Sequence, residues 1–443
     1  MKIVIVGAGE VGTHLAKMLS KENQDIILID EDESKLNSLD AYNLMTYSGS
    51  VTSFKVLKAI GIENTDLFIA VTPDESRNVT ACAMAKSRGA KYTVARIDFF
   101  DMLHDNGAEF FKSIGVDELI YPELLAAEEI TTALKRTWVR HWFELSHGQL
   151  IVLGVKIREN AELAGKQMRD FFSLSGFFHV SAIKRYQETI IPRGEDYIKV
   201  GDIVYFATKM EYVDKIRELC GKREINVKRV MIMGGSRIAV QLAKMAKNNY
   251  HMKIIENDAE KCNFMAQRLP YAHIVRGDGR DIELLKEEGI QDYDAFITLT
   301  DSSEANILGC LTAKEFGVPK TIAEVEAIQF INEAENLNIG TVINKKLLSS
   351  SKIFQLLLDS DQNNSKCLAL SDAEVAEIVV KEKSKITRAA VKDLHLSREM
   401  TIAGLIRDGE GMLVNGNTQI QAGDHVLIFC LNGALHKMER LFN

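Results

Sequence analysis

Ile3-Val4-Ile5-Val6-Gly7-Ala8-Gly9-Glu10-Val11-Gly12 is the stretch from which the rest of the chain is read. Its apolar, β-branched run is predicted to be a buried strand, and the Gly-x-Gly-x-x-Gly turn after it is predicted to open a helix. Each glycine has a task in that setting. Gly7 permits the tight turn, Gly9 lets backbone approach a pyrophosphate, and Gly12 lets the helix sit close to the sheet. The amides at the helix start then point at phosphate oxygens, and the helix dipole adds attraction.

Downstream residues extend the pattern. Asp30 ends the second strand, 30−12=18 residues beyond Gly12, where an acid takes the ribose hydroxyls and repels a 2′-phosphate. NAD-type or adenosine nucleotides are therefore favoured over NADP. Gly49-Ser50-Val51-Thr52 follows the third strand, beside an expected adenine, and Thr72-Pro73 follows the fourth at the crevice. Arg96 closes the fifth strand, where it either neutralises phosphate or forms an ion pair. The bland alternative is a fold that keeps its glycines only for packing.

The same arrangement returns as Val230-Met231-Ile232-Met233-Gly234-Gly235-Ser236-Arg237-Ile238-Ala239. The offset is 234−7=227 at the first glycine, 256−30=226 from Asp30 to Glu256, and 306−78=228 from Asn78 to Asn306. It is 347−124=223 between the Leu124-Leu125 and Leu347-Leu348 pairs, and 423−201=222 between Gly201-Asp202 and Gly423-Asp424. So steady a register means two tandem copies. The second departs from the first at informative places: Ser236 replaces the middle glycine, Ala239 the last, and Glu324 stands where Arg96 stands. Whether this second site binds the same ligand stays open.

With 443 residues the chain exceeds the size at which single cores stop growing. Short β-branched runs alternating with helical stretches predict an α/β fold, a doubly wound parallel sheet, from 1 to 135 and again from 225 to 357. A small α+β module of hairpins is predicted at 136–224 and 358–443, each ending in a helix, near Tyr212–Leu219 and Leu435–Phe442. Each parallel sheet is followed by a further helix bearing a leucine pair. Its pattern leaves open whether it packs on its own core or against another subunit.

A net charge of −8 without a basic block argues against nucleic acid as a partner. Six cysteines without CxxC spacing argue against a zinc site or a disulfide framework and fit a reducing cytoplasm. No apolar run approaches the roughly 20 residues of a membrane span, and Met1 leads directly into the first strand, so no signal peptide is expected. No catalytic apparatus stands out. A dehydrogenase needs an acid or base beside its nicotinamide, whereas the ten histidines are dispersed, and His141 and His147 around Trp142-Phe143 read as seam packing.

On these residues, together with Ala70-Val71-Thr72-Pro73-Asp74-Glu75, Asn78 and Ala95-Arg96-Ile97, the chain closely resembles the peripheral regulatory subunits of Trk potassium-uptake systems, which are built from tandem potassium-conductance regulator (RCK) domains. The resemblance implies NAD or NADH, or ATP and ADP, bound in the crevice by Gly7 to Val11, Asp30, Thr72, Pro73 and Arg96, and by Gly234 to Ile238 and Glu256. It also implies a dimer or tetramer closing into a ring and docking on a membrane-embedded potassium-translocating subunit of TrkH or TrkG type, at the cytoplasmic face. Two rival readings are an NAD-dependent oxidoreductase with duplicated halves and a regulator of a proton-coupled cation exchanger.

Overall fold

The computed structural model describes all residues except 21–23, 38, 40–41, 99–106, 146–147, 187, 361–365, 371–372, 432–441 and 443. In chain order the first parallel sheet comprises β1 (Lys2–Val6), α1 (Glu10–Leu19), β2 (Asp25–Asp30), α2 (Glu33–Asn37), β3 (Met45–Ser48), α3 (Phe54–Ala59), β4 (Leu67–Ala70), α4 (Glu75–Ser87), β5 (Tyr92–Arg96), α5 (Gly107–Ser113) and β6 (Glu118–Ile120). After α6 (Pro122–Lys135) come β7 (His141–Leu145), β8 (Leu150–Lys156), β9 (Phe178–Arg185), β10 (Glu188–Ile190), β11 (Ile203–Thr208) and α7 (Val213–Leu219). The second parallel sheet takes β12 (Arg229–Met233), α8 (Arg237–Met245), β13 (His251–Glu256), α9 (Ala259–Arg268), β14 (His273–Arg276), α10 (Ile282–Glu287), β15 (Ala295–Thr298), α11 (Ser303–Glu315), β16 (Lys320–Glu324), α12 (Ile331–Asn336) and β17 (Thr341–Ile343). Then follow α13 (Lys345–Ser360), β18 (Lys366–Leu370), β19 (Ala373–Val379), β20 (Met400–Arg407), β21 (Glu410–Leu413) and β22 (His425–Leu431). The helix expected at Leu435–Phe442 lies outside the described residues, apart from Phe442.

Met1–Leu125 and Lys345–Leu368 form one compact unit. Its sheet runs β3-β2-β1-β4-β5-β6, so the strand order reverses between β1 and β4. That reversal opens the crevice at the carboxyl ends of the strands. β1 is buried on both faces, which is why Ile3 to Val6 read as a continuous apolar run rather than an alternation. Val4, Val6, Ile27, Ile29 and Phe68 share a core with Ala81, Cys82 and Ala85 of α4, while α1 buries Val11, Leu15, Ala16 and Leu19. The helix after the second sheet, α13, lies against α1 and β6, with Lys345 Nζ 3.9 Å from Glu123 and Lys346 paired with Glu10. α13 thus belongs to the compact unit of the first sheet.

Ala126–Asn344 and Ala369–Asn443 form the second unit. Its parallel sheet repeats the first, β14-β13-β12-β15-β16-β17, and two five-stranded sheets follow the orders β10-β9-β11-β8-β7 and β18-β19-β22-β20-β21. Pairing within these small sheets is antiparallel wherever it is described. The Gly-Asp repeat now has a physical reason. Gly201 and Gly423 sit at φ +96° and +88°, and the buried acids next to them each take a two-pronged arginine: Arg185 on Asp202 at 2.9 and 2.8 Å, Arg407 on Asp424 at 2.8 and 2.7 Å.

The two small modules face each other. His179 on β9 meets Thr401 on β20 at 3.5 Å, a pair separated by 222 residues, the offset that also relates Gly201 to Gly423. Arg193 donates to the carbonyls of Ser397 and Met400 at 2.7 and 3.1 Å. Among the described residues no helix is long and apolar enough to cross a membrane.

Candidate functional site

The first crevice is built at the end of β1. Gly7 has φ +101°, a conformation that favours glycine, and its N–H donates to the Ile29 carbonyl at 2.8 Å. A Cβ on Gly12 would stand 1.9 Å from the Gly7 carbonyl oxygen, so the helix can start this close to the strand only with glycine there. At Gly9, by contrast, a Cβ would meet nothing within 4 Å. The middle glycine borders open space, where a ligand's phosphates require backbone access.

Asp30 holds the turn from the neighbouring strand. Its Oδ2 accepts the Ala8 N–H at 2.7 Å and its Oδ1 the Asp32 N–H at 2.9 Å. An ionised carboxylate has about four acceptor positions, so two ribose hydroxyls can be added to these two amides. Gly49 donates its N–H to the Asp30 carbonyl at 3.0 Å, and Val51 is buried behind it. Glu10 is exposed at the start of α1, and Val11 packs inward.

The far wall depends on a residue that the repeat marked without revealing its work. Asn78 is fully buried. Its oxygen accepts the Thr72 N–H at 3.0 Å and the Thr72 hydroxyl at 2.7 Å, and its Nδ2 donates at 2.9 Å to the carbonyls of Thr72 and Arg96. All four hydrogen-bonding positions of the amide are used, tying the ends of β4 and β5 together. Pro73 is exposed beside this clamp and has no N–H to offer. Arg96 takes the ion-paired course, with Nη2 3.0 Å from Asp98 Oδ1. Sequence reasoning missed Glu31 and Arg77, whose side chains meet at 2.9 and 3.0 Å; one acid within the run Asp30-Glu31-Asp32-Glu33 and an arginine early in α4 give no sign of pairing.

The second crevice repeats this skeleton. Gly234 also has φ +101°, Glu256 accepts the N–H groups of Gly235 and Asp258 at 2.7 and 2.8 Å, and Asn306 clamps Thr300 and Glu324 through the same four bonds. It encloses a cavity of about 260 Å³ whose wall includes Gly234, Gly235, Ser236, Glu256, Thr300 and Asp301. Arg237 and Ile238 are not part of that wall: Ile238 is buried in the core and Arg237 is exposed. Lys261 and Arg280 are, and both escaped the sequence reading. Ser236 caps α8, accepting the Ala239 N–H at 3.4 Å.

His141 stacks on Tyr205 and Phe143, with ring centroids 5.7 and 6.2 Å away, and burial pushes its pKa down to about 4. It is the packing residue its surroundings suggested; His147 lies outside the described residues.

Family comparison agrees with this geometry. The TrkA-N domain model matches residues 3–122 and 230–345, and the TrkA-C domain model matches 152–221 and 375–443. The chain belongs to the TrkA family. Among TrkA relatives, Trk system potassium uptake protein TrkA homolog 1 of Methanosarcina mazei is 30% identical over 451 residues, with 100% of both chains covered. Trk system potassium uptake protein TrkA of Haemophilus influenzae is 30% identical over 457 residues, covering 100% of this chain and 98% of that one. The GsuK channel bound to NAD superposes with a TM-score of 0.59 at 14% identity, covering 100% of this chain and 78% of that chain. The GsuK RCK domain gives the same score and identity with 94% of that chain covered. At such identity the likeness speaks for the fold, tandem RCK domains. TrkA membership makes the chain a regulatory component of potassium transport, not an enzyme.

Proposed function

We propose that the chain is a nucleotide-sensing regulatory subunit. NAD, NADH, ATP or ADP occupies the glycine-rich crevices, and occupancy shifts the arrangement of the RCK domains in a ring of tandem chains. The ring sits on the cytoplasmic face of a membrane-embedded potassium-translocating subunit of TrkH or TrkG type. Its working parts are nucleotide domains at 1–135 and 225–357 and small modules at 136–224 and 358–443. The observation that supports this most is at the first crevice: beyond the left-handed Gly7 and the turn that Asp30 grips, Gly9 borders open space where phosphates need backbone. Gly7 to Gly12, Asp30, Gly49, Val51, Thr72 and Pro73 line the first ligand site, with Arg96 reaching a phosphate once released from Asp98. Gly234, Gly235, Ser236 and Glu256 line the second.

A ligand drives such a change only through unequal affinity for two states. Potassium flux through the reconstituted membrane partner, measured with and without each nucleotide, tests the proposal. Flux should respond to nucleotide in the native complex and lose that response with Asp30→Ala. A flux indifferent to every nucleotide would overturn it.

A further inference from the structure

At the amino-terminal edge of the second parallel sheet, away from the glycine turns, lies a cavity of about 560 Å³. Arg140, Lys156 and Arg158 of the first small module line it, with Lys222 and Arg223 from the segment after α7, and Lys314 and Lys320 from α11 and β16. No acidic residue is among the described residues of its wall. Lys320 is buried, its Nζ held by the Thr341 hydroxyl at 3.0 Å and the Thr137 carbonyl at 3.2 Å. Arg140 donates to Asn338 Oδ1 at 2.7 Å, and Lys314 to the Asn338 carbonyl. These partners are neutral. The nearby Glu335 is engaged by Lys184 at 2.8 Å.

The first half shows how such a lysine is ordinarily neutralised. Lys86, the counterpart of Lys314 at 314−86=228, pairs with Asp117 at 2.7 Å. From Gly115 to Gly340 the offset is 340−115=225, and from Leu119 to Val342 it is 342−119=223. The second copy is therefore two residues shorter between these points, and Asp117 has no counterpart. The lysine was kept and its acid was lost, at a place where further cations converge. Burial, then repulsion from Arg140 and Arg158, pushes Lys314 down to about 8, and burial with Arg140 pushes Lys320 to about 7. Glu129, outside the wall, acts on Lys320, and Glu335 on Arg140 and Lys156; two acids against seven cationic side chains leave an excess of positive charge that is costly to bury, and the volume is that of a small-molecule site.

We propose that this cavity binds a compact, multiply charged phosphate anion, an inorganic oligophosphate or the triphosphate of a nucleotide, at a third site separate from both glycine-rich crevices. The site is peculiar to the second half, because only there has the acid been deleted. Phosphates lying between the module's arginines and the lysines of α11 and β16 would fix the small module against the second nucleotide domain.

The test uses the full-length protein saturated with NADH, so that the crevices are occupied, titrated with tripolyphosphate and separately with ATP. Calorimetry and the fluorescence of Trp138, which lines the cavity, are the readouts. Saturable binding is expected, at least tenfold weaker in the Arg158→Ala/Lys222→Ala double variant, whose replaced side chains are exposed or half-exposed, with NADH affinity unchanged. Equal affinity for both probes assigns recognition to the phosphates alone, and tighter ATP assigns it to a nucleotide; either supports the site. The proposal falls if neither probe binds, or if binding is unaltered in the double variant. It also falls if that variant changes only the oligomeric state, which would make the cavity a contact between copies.

Discussion

The two glycine-rich turns agree where the chain must bend and differ where a ligand must touch. Gly7 and Gly234 share one φ value, and Asp30 and Glu256 each grip two backbone amides. Asn78 and Asn306 make the same four bonds. Against that constancy, Gly9 becomes Ser236, Gly12 becomes Ala239, and Arg96 becomes Glu324. The shared residues hold the turn together with or without a ligand, so their presence in both copies testifies chiefly to architecture. Recognition has to be sought in the residues that changed.

Gly12 is where the largest effect is expected. With a Cβ 1.9 Å from the Gly7 oxygen, Gly12→Ala must push α1 off the sheet, destabilising the first domain by about 3 kcal/mol and abolishing NADH binding there. Ala239→Gly in the second copy, where the helix already accommodates a methyl group, should cost under about 1 kcal/mol. Urea denaturation of both variants gives the comparison, and equal losses would show that the two helices start alike.

Next come the clamps. Asn78→Ala and Asn306→Ala each leave buried backbone groups unpaired and should each cost about 2 kcal/mol, by the same amount in either half. A cost confined to one half would contradict the duplicate geometry. Here the limits of sequence reading are visible. The offset of 228 identified Asn78 with Asn306, but four partners spread over residues 72 and 96 cannot be seen before the strands are placed. The strands themselves were legible because β1 and β12 are buried on both faces and the chemistry of each run is local. The course of α13 was not: an apolar stripe shows that a helix must be covered, without saying by which sheet. The basic cavity was hidden more deeply, since its cations come from β8, α11, β16 and three connecting segments.

A smaller effect separates the two roles of the acids. Asp30→Asn and Glu256→Gln keep the size of the side chain while replacing one acceptor oxygen by an amide. If the carboxylates take ribose hydroxyls, NADH binding should weaken about tenfold at each occupied crevice, roughly 1.4 kcal/mol. A fall in melting temperature with affinity intact would mean that they only latch the turn.

The finest distinction lies at the middle position of the turn. Nothing stands within 4 Å of a Cβ built on Gly9, so Gly9→Ser should leave the melting temperature unchanged. A bound pyrophosphate would nevertheless meet the added hydroxymethyl group, lowering NADH affinity about threefold, or roughly 0.6 kcal/mol. In the second copy Ser236 contributes only a long 3.4 Å cap, and replacing an N-cap serine by glycine costs a few tenths of a kcal/mol. Ser236→Gly should therefore open that crevice and raise its affinity by a similar factor. Calorimetry on the pair decides the matter: opposite shifts assign the difference between the crevices to this one position, whereas two null results would move it to Arg96 and Glu324.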